Sequence, residues 1–223
     1  MKIKFFLFIF LFLSFLTNYS FAKDDICSEI INKTEIDLKI PENLLLSIAL
    51  TESGRKVDNK FFPWPWAVNV KGKGYFLKNK QQLVSFVNYN LKKKIKNFDL
   101  GCMQINYYYH GHKFKNIANM IEPKINVSWA GKFLINLKAK HKTWDEAISR
   151  YHSNTKWRKK QYLAKVMNNW AFVGKTKNIA LKNEEKIHSK NIIATLPKVK
   201  DDKEIKLSLR NKVKKKEINE EIE

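Results

Sequence analysis

Glu52 is the residue whose type and spacing point most directly to chemistry. Leu45, Ile48, Ala49 and Glu52 stand at i, i+3, i+4 and i+7, on one face of a helix. Glu52 therefore continues an apolar stripe, where an ionised carboxylate is costly. Desolvation raises a carboxyl pKa, and a carboxylic acid still protonated near neutral pH is a general acid. Spacing alone leaves a plainer reading open, in which Glu52 ends its helix in solvent or pairs with Arg55 on the next turn. Asp99, ahead of Gly101, offers a second carboxylate for glycoside chemistry, or else the cap of a turn or helix. His110, His112, His141 and His152 lack the spacing of a zinc set, so no metal is expected. No glycine-rich phosphate loop follows a strand, which argues against a nucleotide enzyme, and no cofactor is expected.

The elements that must position these groups read as mainly helical. A short helix is expected over Asp24 to Thr34. The next opens at Pro41, where a missing N–H costs nothing, carries Leu44 to Glu52 and ends near Gly54. Asn79 with Gln82, and Thr143 with Glu146, have capping-box spacing and open helices through Leu83 and Val87 and through Trp144 to Tyr151. Trp129, Phe133, Leu134 and Leu137 repeat at helical spacing, and a last helix carries Trp157, Leu163, Val166, Met167 and Trp170. Trp66 to Val70, a turn over Lys71 to Gly74, and Tyr75 to Leu77 read as one small β-hairpin.

The first 22 residues suggest where these elements fold. Lys2 and Lys4, an apolar run from Phe5 to Leu16 and Ser20-Phe21-Ala22 have the pattern of a secretory signal cut after Ala22, with an uncleaved anchor as the alternative. Export makes a nucleic-acid partner unexpected, although the chain carries 43 Lys and Arg against 21 Asp and Glu. Removing the signal takes the formal charge from +22 to +20. Such an excess suits an acidic polymer or an anionic envelope surface, or is simply a solvated lysine-rich face. In an oxidising compartment the two cysteines, Cys27 and Cys102, read as a disulfide, with two buried thiols as the alternative. Residues 23–172 hold the expected domain. Residues 173–223 carry no aromatic residue and read as a lysine-rich tail without fixed structure, with transient helix near Lys203 to Ile222.

Three segments in order resemble the soluble lytic transglycosylase domain, which has a goose-type-lysozyme-like fold. They are Ile48-Ala49-Leu50-Thr51-Glu52-Ser53-Gly54, Asp99-Leu100-Gly101-Cys102-Met103-Gln104-Ile105-Asn106 and Ala147-Ile148-Ser149-Arg150-Tyr151-His152-Ser153. They match that family's Glu-Ser, Gly-x-Met-Gln-Ile and Ala-x-x-x-Tyr-Asn segments, with His152 in place of the last Asn and a longer stretch between the first two. Pro63-Trp64-Pro65-Trp66, Gly101-Cys102-Met103-Gln104 and Tyr151-His152-Ser153 look like a proteobacterial branch that shares these departures.

The resemblance implies a compact, mainly α, lysozyme-like domain with one hairpin insertion, monomeric and periplasmic. Its substrate would be the glycan strands of peptidoglycan, cut between N-acetylmuramic acid and N-acetylglucosamine. Glu52 would be the single acid/base. Gln104, Asn106, Met103, Tyr151 and His152 would form the substrate-binding set, with Met103 packing the cleft floor and His152 equally suited to a structural role. The basic surface would then face an anionic envelope, and a place in a secretion or flagellar assembly is compatible with the same activity. The rival readings are a lysozyme-type hydrolase, with Asp58 or Asp99 activating water, and a non-catalytic peptidoglycan-binding factor.

Overall fold

The computed structural model describes residues 25–195. The expected signal segment and the stretch from Lys203 to Ile222 lie outside the described residues. The chain divides into two compact units, the first ending at Thr176 and the second starting at Lys177. Core, sheet and cleft all belong to the first.

The described elements, in order, are α1 (Ile26–Leu38), α2 (Leu44–Ser53), β1 (Gly54–Val57), β2 (Lys60–Pro63), β3 (Ala67–Val70), β4 (Lys73–Phe76), α3 (Lys80–Lys92), β5 (Phe98–Leu100) and β6 (Ile105–Asn106). There follow α4 (Tyr107–His110), a 3₁₀ turn (Gly111–Lys113), α5 (Ile117–Met120), α6 (Pro123–His141), α7 (Trp144–His152) and α8 (Lys156–Thr195). The protein is thus mainly helical with small antiparallel sheets. The core is where α1, α2, α6 and α7 meet, filled by Ile31, Leu44, Leu45, Ile48, Leu134 and Ile148.

Helix α2 starts three residues later than Pro41 suggests. Asn43, in the left-handed region at φ 64°, precedes it without a side-chain cap. Glu35 of α1 supplies the cap instead. Its carboxylate accepts N–H bonds from Asn43 (2.8 Å), Leu45 (2.6 Å) and Leu46 (3.1 Å), and so satisfies donors that a helix start leaves open. Burial pushes the Glu35 carboxyl above its usual range while these three donors oppose the shift.

The sheet is larger than one hairpin. The expected hairpin forms, with Ala67 opposite Phe76 and Val70 opposite Lys73. Its turn is only Lys71-Gly72, both at positive φ, the two-residue geometry whose twist suits antiparallel strands. Strands β5 and β6 extend it to the order β4-β3-β5-β6. A second hairpin, β1-β2, turns at Asp58-Asn59, again both at positive φ. The capping predictions hold on one side of each pair: Asn79 Oδ1 accepts from Gln82 N–H and Thr143 Oγ1 from Glu146 N–H. The return bonds differ. Gln82 Oε1 accepts from Lys78 N–H, and Glu146 binds Arg150 and Lys159.

The last helix also departs from expectation. It runs on past Trp170 and continues to Thr195. Residues 173–195, expected as tail without fixed structure, are thus helical: Lys, Glu, Ala and Leu there are good helix formers, so the lack of aromatics removes packing groups without removing helical preference.

Candidate active site

Glu52 sits in the last turn of α2, its side chain half-buried at the end of the stripe of Leu45, Ile48 and Ala49, all fully buried. Tyr162 of α8 donates its hydroxyl hydrogen to Glu52 Oε1 at 2.7 Å. Desolvation raises the Glu52 carboxyl to about 8; the Tyr162 bond and the Lys165 charge work against this, and the neighbouring Asp99 carboxylate adds to it. No ion pair joins Glu52 to Arg55 among the described residues. The Arg55 guanidinium lies over the Trp64 ring, 4.3 Å from its centroid.

Glu52 opens onto a cavity of about 430 Å³. One wall is a row across the sheet. Asn69 of β3 pairs with Asp99 of β5, and Asp99 pairs with Asn106 of β6. Side chains alternate along a strand, so burial of Phe98 and Leu100 in the core turns Asp99 to the opposite, cleft face. The other wall is aromatic. Trp129 and Phe133, one turn apart on α6, stack at 5.2 Å, His110 lies against Trp129 at 4.7 Å, and Phe133 meets Tyr151 at 5.7 Å. The helical repeat of Trp129 and Phe133 thus marks a cleft wall, with Trp129 also packed against the core. The core face of α6 is Asn126, Val127, Ala130, Gly131 and Leu134. Flat aromatic faces opposite carbonyl, amide and carboxyl groups suit a ligand with apolar faces and a polar rim.

The residues singled out from the sequence take different places around this cavity. Gln104 lines it, with φ 45° and its Nε2 tied to the carbonyls of Gly101 (3.0 Å) and Ala67 (3.2 Å), while Oε1 has no donor among the described residues. Asn106 also lines it, but its amide is spent on the protein. Nδ2 donates to Asp99 Oδ1 (2.8 Å) and Asn97 Oδ1 (2.9 Å), and Oδ1 accepts from Tyr109 N–H. Met103 is fully buried beneath the cleft and does not line it. Its carbonyl accepts the Tyr151 hydroxyl at 2.9 Å, so Tyr151 lines the cavity with its ring and spends its proton on the loop. His152 stacks on the Tyr162 ring at 4.6 Å, nearly parallel. Desolvation of its ring, then the charges of Arg158 and Lys165, lower its pKa, so it is neutral at neutral pH.

Of the two further acids, Asp99 lines the cavity, its pKa raised by burial against the Asn106 bond. Asp58 does not reach it. It sits in the β1-β2 turn beside a separate pocket lined by Phe61 and Phe62, so it is removed as a partner for Glu52. Cys27 and Cys102 are joined in a disulfide, which ties α1 to the loop carrying Gln104. Among the described residues no three His, Cys, Asp or Glu side chains gather as metal ligands.

Three residues at the site were given no role from the sequence. Tyr162 is one. It is buried at i to Val166 at i+4, so a tyrosine on the stripe of the last helix was the available signal. Ser53 is another: its hydroxyl donates to the Cys102 carbonyl at 2.6 Å and clips the end of α2 to the Gln104 loop. The third is Asn126, fully buried, whose Oδ1 accepts from Met103 N–H (2.9 Å) and whose Nδ2 donates to Leu100 and Met120 carbonyls (3.0 Å each). Comparison with family models, with curated proteins and with solved structures finds no match to this chain.

Proposed function

We propose that the chain is an exported lytic transglycosylase with a lysozyme-like catalytic domain, which cleaves the β-1,4 bond between N-acetylmuramic acid and N-acetylglucosamine in peptidoglycan. The observation that carries the reading is Glu52: a half-buried carboxyl raised to about 8, held by Tyr162, at the edge of a cavity with an aromatic and an amide wall. The order of the Glu-Ser, Gly-Cys-Met-Gln-Ile and Ala-x-x-x-Tyr segments, behind a signal-like N-terminus, supports it.

In this mechanism the Glu52 carboxyl gives its proton to the glycosidic oxygen as the bond from that oxygen to the anomeric carbon breaks. The substrate's own N-acetyl oxygen supports the positive charge left on that carbon. The Glu52 carboxylate then takes the proton of the sugar's C6 hydroxyl, whose oxygen bonds to the anomeric carbon and closes a 1,6-anhydro ring. The proton returns to Glu52 and no water is consumed. Intramolecular attack has a high effective concentration, so no second carboxylate is required.

The first step needs the protonated acid, so the rate should fall as pH rises through about 8. Replacing Glu52 by Gln should remove lysis of purified sacculi at every pH. Unchanged lysis in this variant would sink the catalytic role and leave the non-catalytic binding reading. A second enzymatic reading is a hydrolase in which Asp99 activates water. It is favoured by Asp99 sharing the cavity and raising Glu52 through charge, and its products would carry reducing ends.

A further inference from the structure

Beyond Glu52 the cleft continues into a second cavity of about 230 Å³. Glu52, His152 and Arg158 line both. The second is otherwise formed by Thr51 of α2 and the start of α8. Arg158, Gln161 and Lys165 stand at i, i+3 and i+7 and share one helix face, with the exposed Trp157 beside them.

Its charge differs from that of the main cavity. The main cavity has Asp99 and a row of amides, whereas Glu52 is the one carboxyl lining the second. Nearby cations are paired: Arg150 and Lys159 share Glu146. Arg158 and Lys165 make no ion pair with a carboxylate among the described residues. Their field reaches the cleft, since both depress the His152 imidazole and Lys165 opposes the rise of Glu52. Two cations on one helix face, neither in a carboxylate ion pair and Arg158 seated 5.2 Å over the Trp157 ring, at a cavity joined to the proposed acid, suit an anionic group held beside a sugar.

We propose that Arg158 and Lys165 form a carboxylate-binding subsite that holds the anionic peptide arm of a glycan strand whose sugars occupy the main cavity. The subsite rests on the peptidoglycan reading and narrows it: the preferred substrate is a strand that still carries charged peptides.

The test is calorimetric titration of the full chain bearing Glu52→Gln, which leaves ligands uncut. The ligands are a disaccharide-tetrapeptide muropeptide and the same molecule with its carboxylates converted to neutral amides. At low salt the charged form should bind about tenfold tighter, the scale of two solvent-exposed ion pairs. The preference should shrink as salt is added and fall below about twofold when R158Q and K165Q are introduced. Equal binding of the two forms, binding of neither, or a preference that survives R158Q/K165Q would overturn the subsite. Lysis of sacculi by the unmodified chain separates the two readings. Charge preference without lysis removes the catalytic reading and keeps the subsite, and lysis without charge preference removes the subsite alone.

Discussion

At Glu52 two interactions set opposite demands on one carboxyl. Desolvation favours the neutral acid, which can give a proton, and the Tyr162 hydroxyl favours the anion, which can take one back. A single acid/base needs both forms in one turnover, and this balance keeps both within reach. Replacing Tyr162 by Phe retains the ring stacked on His152 and removes only the donor. Because that donor lowers the Glu52 pKa, its loss should move the alkaline limb of kcat/KM to higher pH and cut kcat by about tenfold or more, the range for a hydrogen bond to a charged group. A pH–rate profile of Y162F with an unmoved limb would show that Tyr162 does not tune the acid. The apolar stripe of Leu45, Ile48 and Ala49 drew attention to Glu52 but left it open to a plainer reading, and it was the three ordered segments of the family resemblance that singled it out. Tyr162 was not legible. A tyrosine on a helix stripe looks like core until the partner of its hydroxyl is known, and that partner lies 110 positions away.

At the scale of elements, the loop between β5 and β6 is the most tightly specified part of the site. Gly101 has φ +80°, and a Cβ there would stand 2.8 Å from Asn126 Nδ2. Asn126 in turn holds the backbone on both sides of the loop. Gly101→Ala should therefore cost about 2–4 kcal/mol, from the left-handed backbone and the displaced amide together, and should displace Gln104 from the cleft. Chemical denaturation would measure the cost, and a change below about 1 kcal/mol would show that the loop has slack. Strand β5 shows why sequence alone missed half of the sheet. Phe98-Asp99-Leu100 alternates over only three residues, too short a run for a period to stand out, and its pairing with β3 is long-range. The β1-β2 hairpin was more accessible, since Asp58-Asn59 are residues that tolerate positive φ. The Trp129 and Phe133 repeat gave the helix correctly and left open what its aromatic face meets. Period reports that a face is apolar, and a sugar-sized cleft wants an apolar wall as much as a core does.

Across the whole molecule, α2 is fastened from three directions. Glu35 caps its start, Ser53 clips its end to the Cys102 loop, and α8 reaches it through Tyr162 to Glu52 and Asn169 to Thr51. The disulfide closes the frame by joining residues 75 apart. Constraining the unfolded chain over such a loop is worth on the order of 4 kcal/mol. Replacing both cysteines by serine should lower the melting temperature by about 10 °C in a chain of this size. An unchanged melting temperature would mean that α1 and α2 hold the Cys102 loop without it. The cysteine pair was legible from count and the expected compartment, whereas the fastening by Glu35 and Asn169 joins polar residues with no local pattern.

The central claim is that Glu52 acts first as acid and then as base, with the sugar's own hydroxyl as nucleophile. Mass analysis of muropeptides released from sacculi by the purified chain, beside its Glu52→Gln variant, tests this most directly. The account predicts 1,6-anhydro ends, lighter by one water than reducing ends, from the unmodified chain and none from the variant. Reducing ends would contradict it and assign water activation to Asp99, and equal release by both proteins would remove Glu52 from the chemistry.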